Sequence, residues 1–263
     1  MFRTTEISDP KFERENLRFI TVKTPNLKGR GDICVFVPPI ANLEDVPLVI
    51  LLHGVYGSAW VWSQKAGAHL TALEMIENGE IPPMVIAMPS DGLWGDGSAY
   101  LPHNGFNFEK WIVEDVPTAI MENIGAVSEK SDLFIAGLSM GGFGALRLGI
   151  KYPERFKALS AHSAITDLEQ MQLFVEEDLK NYYQKDKNEN SVFDLIQIRE
   201  GHIPSMRFDC GTEDQLISHN RQLHKRLAKA NIDHVYEEFP GGHEWSYWQE
   251  HIKKSLRFFA ENN

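Results

Sequence analysis

Cysteine is nearly absent from the chain. Cys34 and Cys210 are its only two thiols in 263 residues, and each lies inside an apolar, strand-like run. Two such thiols read as small buried groups, and they exclude a disulfide framework. No run of 18 apolar residues occurs, so no segment is expected to span a bilayer. The first nineteen residues, MFRTTEISDPKFERENLRF, place a charge every few positions and lack the apolar stretch of a signal peptide. The expected location is the cytoplasm.

Basic residues are also scarce. Lys and Arg number 26 against 37 Asp and Glu, a net charge of −11. A negative surface repels phosphate backbones and anionic headgroups, so neither nucleic acid nor a membrane is an expected partner. The usual metal and nucleotide signatures fail as well. H-E-x-x-H fails at Tyr247, no C-x-x-C or Gly-Lys pair exists, and Gly95-Asp96-Gly97 lacks the third glycine of a dinucleotide loop. No metal or cofactor is expected. Hydrophobic residues make up 43% of the chain, enough for a sizeable core, which excludes a disordered protein.

What the sequence does contain is alternation. Leu17–Thr24 and Asp32–Val37 read as an antiparallel strand pair joined by the turn-rich PNLKGRG. Val46–Leu52 is continuously apolar, as a strand covered on both faces must be. Met84–Met88, Leu133–Ala136, Ala158–Ala164, Met206–Cys210 and Val235–Phe239 extend the series. Between them lie helical patterns. Ala66, Leu70, Leu73 and Ile76 share one face, as do Leu216, Leu223, Leu227 and Ala230. The last helix shows Trp245, Trp248, Ile252, Leu256 and Phe259 at spacings of three and four, read as core contacts. Repeated strand–helix units predict an α/β fold, with a mostly parallel sheet between helices and ligands beyond its carboxyl edge. The expected organisation is a single domain over 1–263, with a helical, cap-like insertion at about 167–205.

The chemistry is concentrated where a strand meets a helix. Gly137-Leu138-Ser139-Met140-Gly141 follows one strand and opens a helix rich in small residues. This G-x-S-x-G turn is so tight that side chains two residues either side of the serine would collide, and glycine removes that collision. Ser139 then projects at a helix N-terminus, where backbone N–H groups favour negative charge. A serine nucleophile needs a histidine base held by a carboxylate. Seven histidines follow Ser139: His162, His202, His219, His224, His234, His243 and His251. His243 alone sits after a strand and a flexible Pro-Gly-Gly, just before the last helix. Asp209, Glu213 and Asp214 compete as the carboxylate. Asp214 is favoured because it opens the next helix beyond a turn, whereas Asp209 lies within a strand. An N-cap role is the simpler reading of Asp214. Charge developing on a carbonyl oxygen calls for two N–H donors, here Met140 and, from the His53–Ser58 loop, Val55. His53 is expected to hold that loop. Tyr56, Trp60, Trp62 and Trp94 flank strand ends and suggest a crowded aromatic cleft, with Tyr56, Trp60 and Trp94 taken as substrate contacts.

GLSMGGFGAL, HGVYGS, DCGTEDQL and PGGHEWSYW together resemble the esterase D-like, or Putative esterase, branch of the α/β-hydrolases. S-formylglutathione hydrolases, tributyrin esterases, carbohydrate acetyl and feruloyl esterases and mycolyltransferases belong to that branch. The resemblance runs from about Leu17 to the last helix. It implies an α/β-hydrolase fold and a triad of Ser139, Asp214 and His243, with Asp214 the second aspartate of D-x-G-x-x-D. It also implies hydrolysis of a small-molecule ester through an acyl-enzyme. The crowded cleft favours acetyl to butyryl groups, acetylated sugars included. Acyl transfer or thioester hydrolysis would use the same triad, and a non-catalytic binding protein is the reading from another class. A homo-oligomer is left open.

Overall fold

The alternation becomes one nine-stranded sheet in the computed structural model, which describes residues 2–199, 201 and 203–263. His202 therefore lies outside the described residues. The sheet starts with an antiparallel meander of β1 (Thr5–Ile7), β2 (Leu17–Thr24) and β3 (Gly29–Phe36). Next, β4 (Leu48–Leu52) leads through α1 (Val61–Gln64) and α2 (Ala68–Glu77) to β5 (Val85–Pro89). A small ribbon, β6 (Pro102–His103) with β7 (Phe106–Asn107), precedes α3 (Phe108–Lys110), a π-turn at Trp111–Asp115 and α4 (Val116–Asn123). The second half runs β8 (Leu133–Leu138), α5 (Met140–Lys151), β9 (Ala158–His162), α6 (Val192–Ile198), β10 (Ser205–Gly211), α7 (Ile217–Lys229), β11 (Val235–Phe239) and α8 (Trp245–Glu261). Strand order is β1-β2-β3-β5-β4-β8-β9-β10-β11, and every pairing from β5 to β11 is parallel. This is the mostly parallel α/β sheet with an N-terminal antiparallel part that the sequence predicts.

Two apolar layers hold the sheet. Along β4, Leu48, Ile50 and Leu52 point to a layer shared with α4, α5 and α7. Val49 and Leu51 point to the other, shared with α2 and α8. The strand is buried at all five positions because its period-2 side chains meet a helix layer on each side.

Three elements depart from the sequence reading. The helix expected to bury Ala66, Leu70, Leu73 and Ile76 is α2, which begins at Ala68 after a left-handed Gly67 and buries Ala68, Ala72 and Met75. Leu70, placed on the inner face by periodicity, is 46% exposed. The short alanines let α2 lie close against α8 and the sheet, which a leucine-led face would prevent. The helical stretch over Phe108–Asn123 has no counterpart in the sequence reading. Its π-turn sends Trp111, Ile112 and Val113 into the core in succession and blurs the 3.6 period.

The insertion is the third. It is built mainly from 3₁₀ turns at Leu168–Leu173, Leu179–Asn181 and Lys187–Asn190, with α6 as its one α-helix among the described residues. Asp167, Asp178 and Asp186 each start a turn by accepting the N–H two residues on. Each new cap restarts the chain before a long helix can grow. The insertion is fastened to α5 by charge. Buried Arg147 pairs with Glu109 and with Glu189 of the insertion, and Lys151 lies 2.8 Å from Glu189. No helix among the described residues is long and apolar enough to cross a membrane.

Candidate active site

The carboxyl edge of the sheet collects the candidate residues. β8 ends in the tight turn, and Ser139 adopts φ 53° and ψ −118°, a strained conformation for a residue with a side chain. A Cβ at Gly137 would stand 2.1 Å from the Gly141 oxygen, and one at Gly141 would stand 2.4 Å from the Leu52 oxygen. Glycine at both positions is thus a steric requirement of the turn. Three main-chain bonds fix it: Ser139 N–H to the His162 oxygen (3.0 Å), and Phe143 and Ile165 N–H to the Ser139 oxygen (3.1 and 3.2 Å).

His243 follows β11, and its Nε2 lies 3.0 Å from Ser139 Oγ. Its Nδ1 lies 2.9 Å from Asp214 Oδ2 and 3.1 Å from Oδ1. A carboxylate only accepts, so Nδ1 carries the proton and Nε2 is free to accept the serine hydroxyl. Asp214 also accepts the Leu216 N–H (2.8 Å) in the turn ahead of α7, but the N-cap of that helix is Leu216 and takes no side-chain bond, so the N-cap reading of Asp214 does not hold. Burial alone would raise the Asp214 carboxyl. The His243 hydrogen bond and charge, with the Leu216 N–H, outweigh burial and hold its pKa below the ordinary value.

The rival acids are placed elsewhere. Glu213 is exposed, and its N–H bonds the Gly241 oxygen. Asp209 is fully buried beside His162 and Arg207. Burial would raise its carboxyl, yet His162, Arg207 and the Tyr247 hydroxyl bring it from 3.8 down to about 2. A depressed carboxyl contributes stability above its unfolded value and loses it as pH falls through the folded one. The stability that Asp209 adds, about 2 kcal/mol, should therefore be complete above pH 4 and fade toward pH 2. Urea midpoints of wild type and Asp209→Asn, compared from pH 5 to 2, should converge as the pH drops; a constant gap would count against this charge.

The loop after β4 faces the serine from the other side. His53 donates from Nδ1 to the Gly54 oxygen (2.7 Å), and its Nε2 accepts the Asp91 N–H (3.1 Å). A Cβ at Gly57 would fall 2.3 Å from His53 Nδ1, so glycine lets the loop fold over this ring. Among the described residues the Val55 N–H has no backbone acceptor, and Met140 is the first residue of α5, whose N–H has no helical partner. Val55 lines the same cavity as Ser139, and Met140 follows Ser139 in the chain.

A cavity of about 300 Å³ opens at the serine. Its walls are mainly apolar, with Val55, Tyr56, Leu138, Phe174, Trp245 and Trp248 beside Ser139 and His243. Tyr56 is the one sequence-proposed contact among them. Trp60 is 48% exposed at the start of α1. Trp62 is buried and donates to the Leu52 oxygen. Trp94 packs edge-on against His103 and Tyr182. These three stand outside the cavity, Trp60 facing solvent and Trp62 and Trp94 turned into packing. Trp245 and Trp248, read as core, are cavity walls as well as packing. Phe174 carried no sequence signal. It comes from the insertion, stacks on the His243 ring with centroids 5.1 Å apart, and accepts the Tyr56 hydroxyl at its carbonyl.

Residues 24–259 match the family described as Putative esterase. The chain belongs to that family. Among curated proteins it is 29% identical to an acetyl esterase of Caldicellulosiruptor saccharolyticus, across 93% of this chain and 92% of that one. Among solved structures, an S-formylglutathione hydrolase from Agrobacterium tumefaciens superposes with a TM-score of 0.81 at 19% identity, covering 99% of each chain. A ferulic acid esterase superposes with a TM-score of 0.80 at 22% identity, covering 99% of this chain and all of the other. These likenesses establish the family's α/β-hydrolase fold for the chain.

Proposed function

We propose that this protein is a serine carboxylesterase that hydrolyses short-chain acyl esters, acetyl to butyryl, through an acyl-enzyme. One observation carries the reading: the hydrogen-bonded line from Asp214 through His243 to Ser139 ends at a small apolar cavity. Ser139 Oγ attacks the ester carbonyl as His243 Nε2 takes its proton. Asp214 keeps the imidazole in the required tautomer and stabilises its positive charge. The N–H groups of Val55 and Met140 receive the oxyanion, helped by the N-terminus of α5. His243 then protonates the leaving alcohol and activates water to release the acid.

The acetyl esterase relative supports a short acyl group, and the apolar cavity walls suit an acyl chain. Two free, buried cysteines suit a reducing compartment, and we place the enzyme in the cytoplasm. A panel of p-nitrophenyl esters from acetyl to octanoyl, run beside acetylated sugars and S-formylglutathione, tests the substrate class. The kcat/KM should peak between acetyl and butyryl and drop at least about tenfold by octanoyl, since a misplaced methylene is felt in an apolar pocket. A peak at octanoyl would sink the short-chain assignment, and a peak at S-formylglutathione would move the activity to thioesters.

A further inference from the structure

The first aspartate of D-x-G-x-x-D takes no part in the triad, yet it is charged and has no solvent exposure. It belongs to a closed polar ring beneath the site. Asp209 Oδ1 lies 3.0 Å from His162 Nδ1, and His162 Nε2 lies 2.7 Å from Ser255 Oγ. Ser255 Oγ is 2.6 Å from Ser160 Oγ, which accepts Arg207 Nη1 (3.3 Å). Arg207 Nη2 returns to Asp209 Oδ2 at 2.8 Å. Ser255, His162 and Asp209 thus form a second serine–histidine–aspartate line. All three are fully buried, so no substrate reaches them.

Besides the main-chain bond from Ser139 to His162, a side-chain bond leads from the ring toward the His243 loop. Tyr247 on α8 donates its hydroxyl to Asp209 Oδ1 (2.9 Å). The Tyr247 ring lies against Gly241, where a Cβ would approach Cδ2 to 2.9 Å. Gly241, at φ 133°, is held from its other side by the turn that carries Asp214. Its oxygen accepts the Glu213 N–H (3.0 Å) and would meet a Cβ on Gly211 at 2.2 Å. Gly241 is therefore wedged between the Tyr247 ring and the Asp214 turn, two residues before His243. A left-handed glycine has little conformational preference of its own, so the wedge fixes where this loop runs.

We infer that Asp209, acting through Tyr247, is a positioning residue that sets the His243 loop against Ser139. The inference rests on Ser139, Asp214 and His243 being the triad. Arg207, His162 and the two serines hold Asp209 in place, and Asp209 anchors the tyrosine. The expected signature is kinetic, because a displaced base slows proton transfer while the cavity walls still bind substrate.

The test is kcat and KM for p-nitrophenyl acetate, with active serines titrated by a fluorophosphonate so that rates refer to folded sites. Tyr247→Phe keeps the ring and removes the anchor. Its kcat per titrated site should fall about tenfold with KM within about twofold, since small misplacements near reacting atoms cost one to two orders of magnitude. Asp209→Asn should fall at least as far, and the double variant no further than the worse single one, because both act along one route. Should Asp209→Asn fail to fold, Tyr247→Phe decides alone. An unchanged kcat per titrated site with a lowered Tm would reduce the ring to a structural role and overturn the inference. Additive losses in the double variant would also overturn it. Wild-type rates in Ser139→Ala or His243→Ala would instead show that the triad reading itself is at fault.

Discussion

Ser139→Ala is expected to lower kcat toward p-nitrophenyl acetate by about a million-fold, to a residue of catalysis supplied by oxyanion donors and binding alone. The geometry behind this is direct, because Oγ is the atom 3.0 Å from His243 Nε2 that faces the cavity. The fold should survive, since the turn is held by main-chain bonds to His162, Phe143 and Ile165. A companion variant separates chemistry from strain. Ser139 has φ 53°, which costs a non-glycine residue about 1–3 kcal/mol. Ser139→Gly should be equally inactive yet more stable by about 1 kcal/mol, or about 2–4 °C in Tm for a chain of this size. Appreciable turnover in either variant would remove Ser139 from its role, and a lower Tm in Ser139→Gly would remove strain from the account.

The second large effect belongs to Asp214→Asn. The side chain keeps its shape, but an amide can present N–H where the carboxylate presented only acceptors. His243 Nδ1 then has no obligate acceptor, the proton moves to Nε2, and the serine loses its base. A loss of about ten-thousand-fold in kcat is expected, as tautomer errors of this kind produce. The Asp209→Asn variant should lose about tenfold, because Asp209 lies a tyrosine and a loop away from the imidazole. Kinetics of the two variants side by side decide which aspartate serves His243. A greater loss in Asp209→Asn than in Asp214→Asn would reverse the assignment.

Much of this site was legible from local rules. Glycines flanking a serine between a strand and a helix admit few other readings, and one histidine stood after the last strand. The two aspartates were harder, since both lie in one short segment. The observed turn at Gly211–Glu213 separates them, carrying Asp214 to the edge while Asp209 stays inside β10. Phe174 was illegible because it closes an irregular 3₁₀ turn, and its place depends on Tyr56, 118 residues earlier. Trp245 and Trp248 were read as core, which they are, but their share in the cavity wall was not visible. Helical spacing tells which face is covered, not whether a core or a cavity covers it. The same limit hid the true face of α2, which neighbouring α8 decides.

The order of strands in the sheet also bears on how the enzyme could be handled. Ser139 follows β8, Asp214 follows β10 and His243 follows β11, while β1 lies five strands away from β8. At about 4.8 Å per strand, that separation is roughly 24 Å. The other end of the fold is similarly remote, for α8 starts at Trp245 beside the cavity and runs 17 residues, about 25 Å, before it ends. A surface linker joined ahead of Thr5 or beyond Glu261 would therefore leave the cavity mouth unobstructed, and immobilised enzyme should turn over small esters as freely as enzyme in solution.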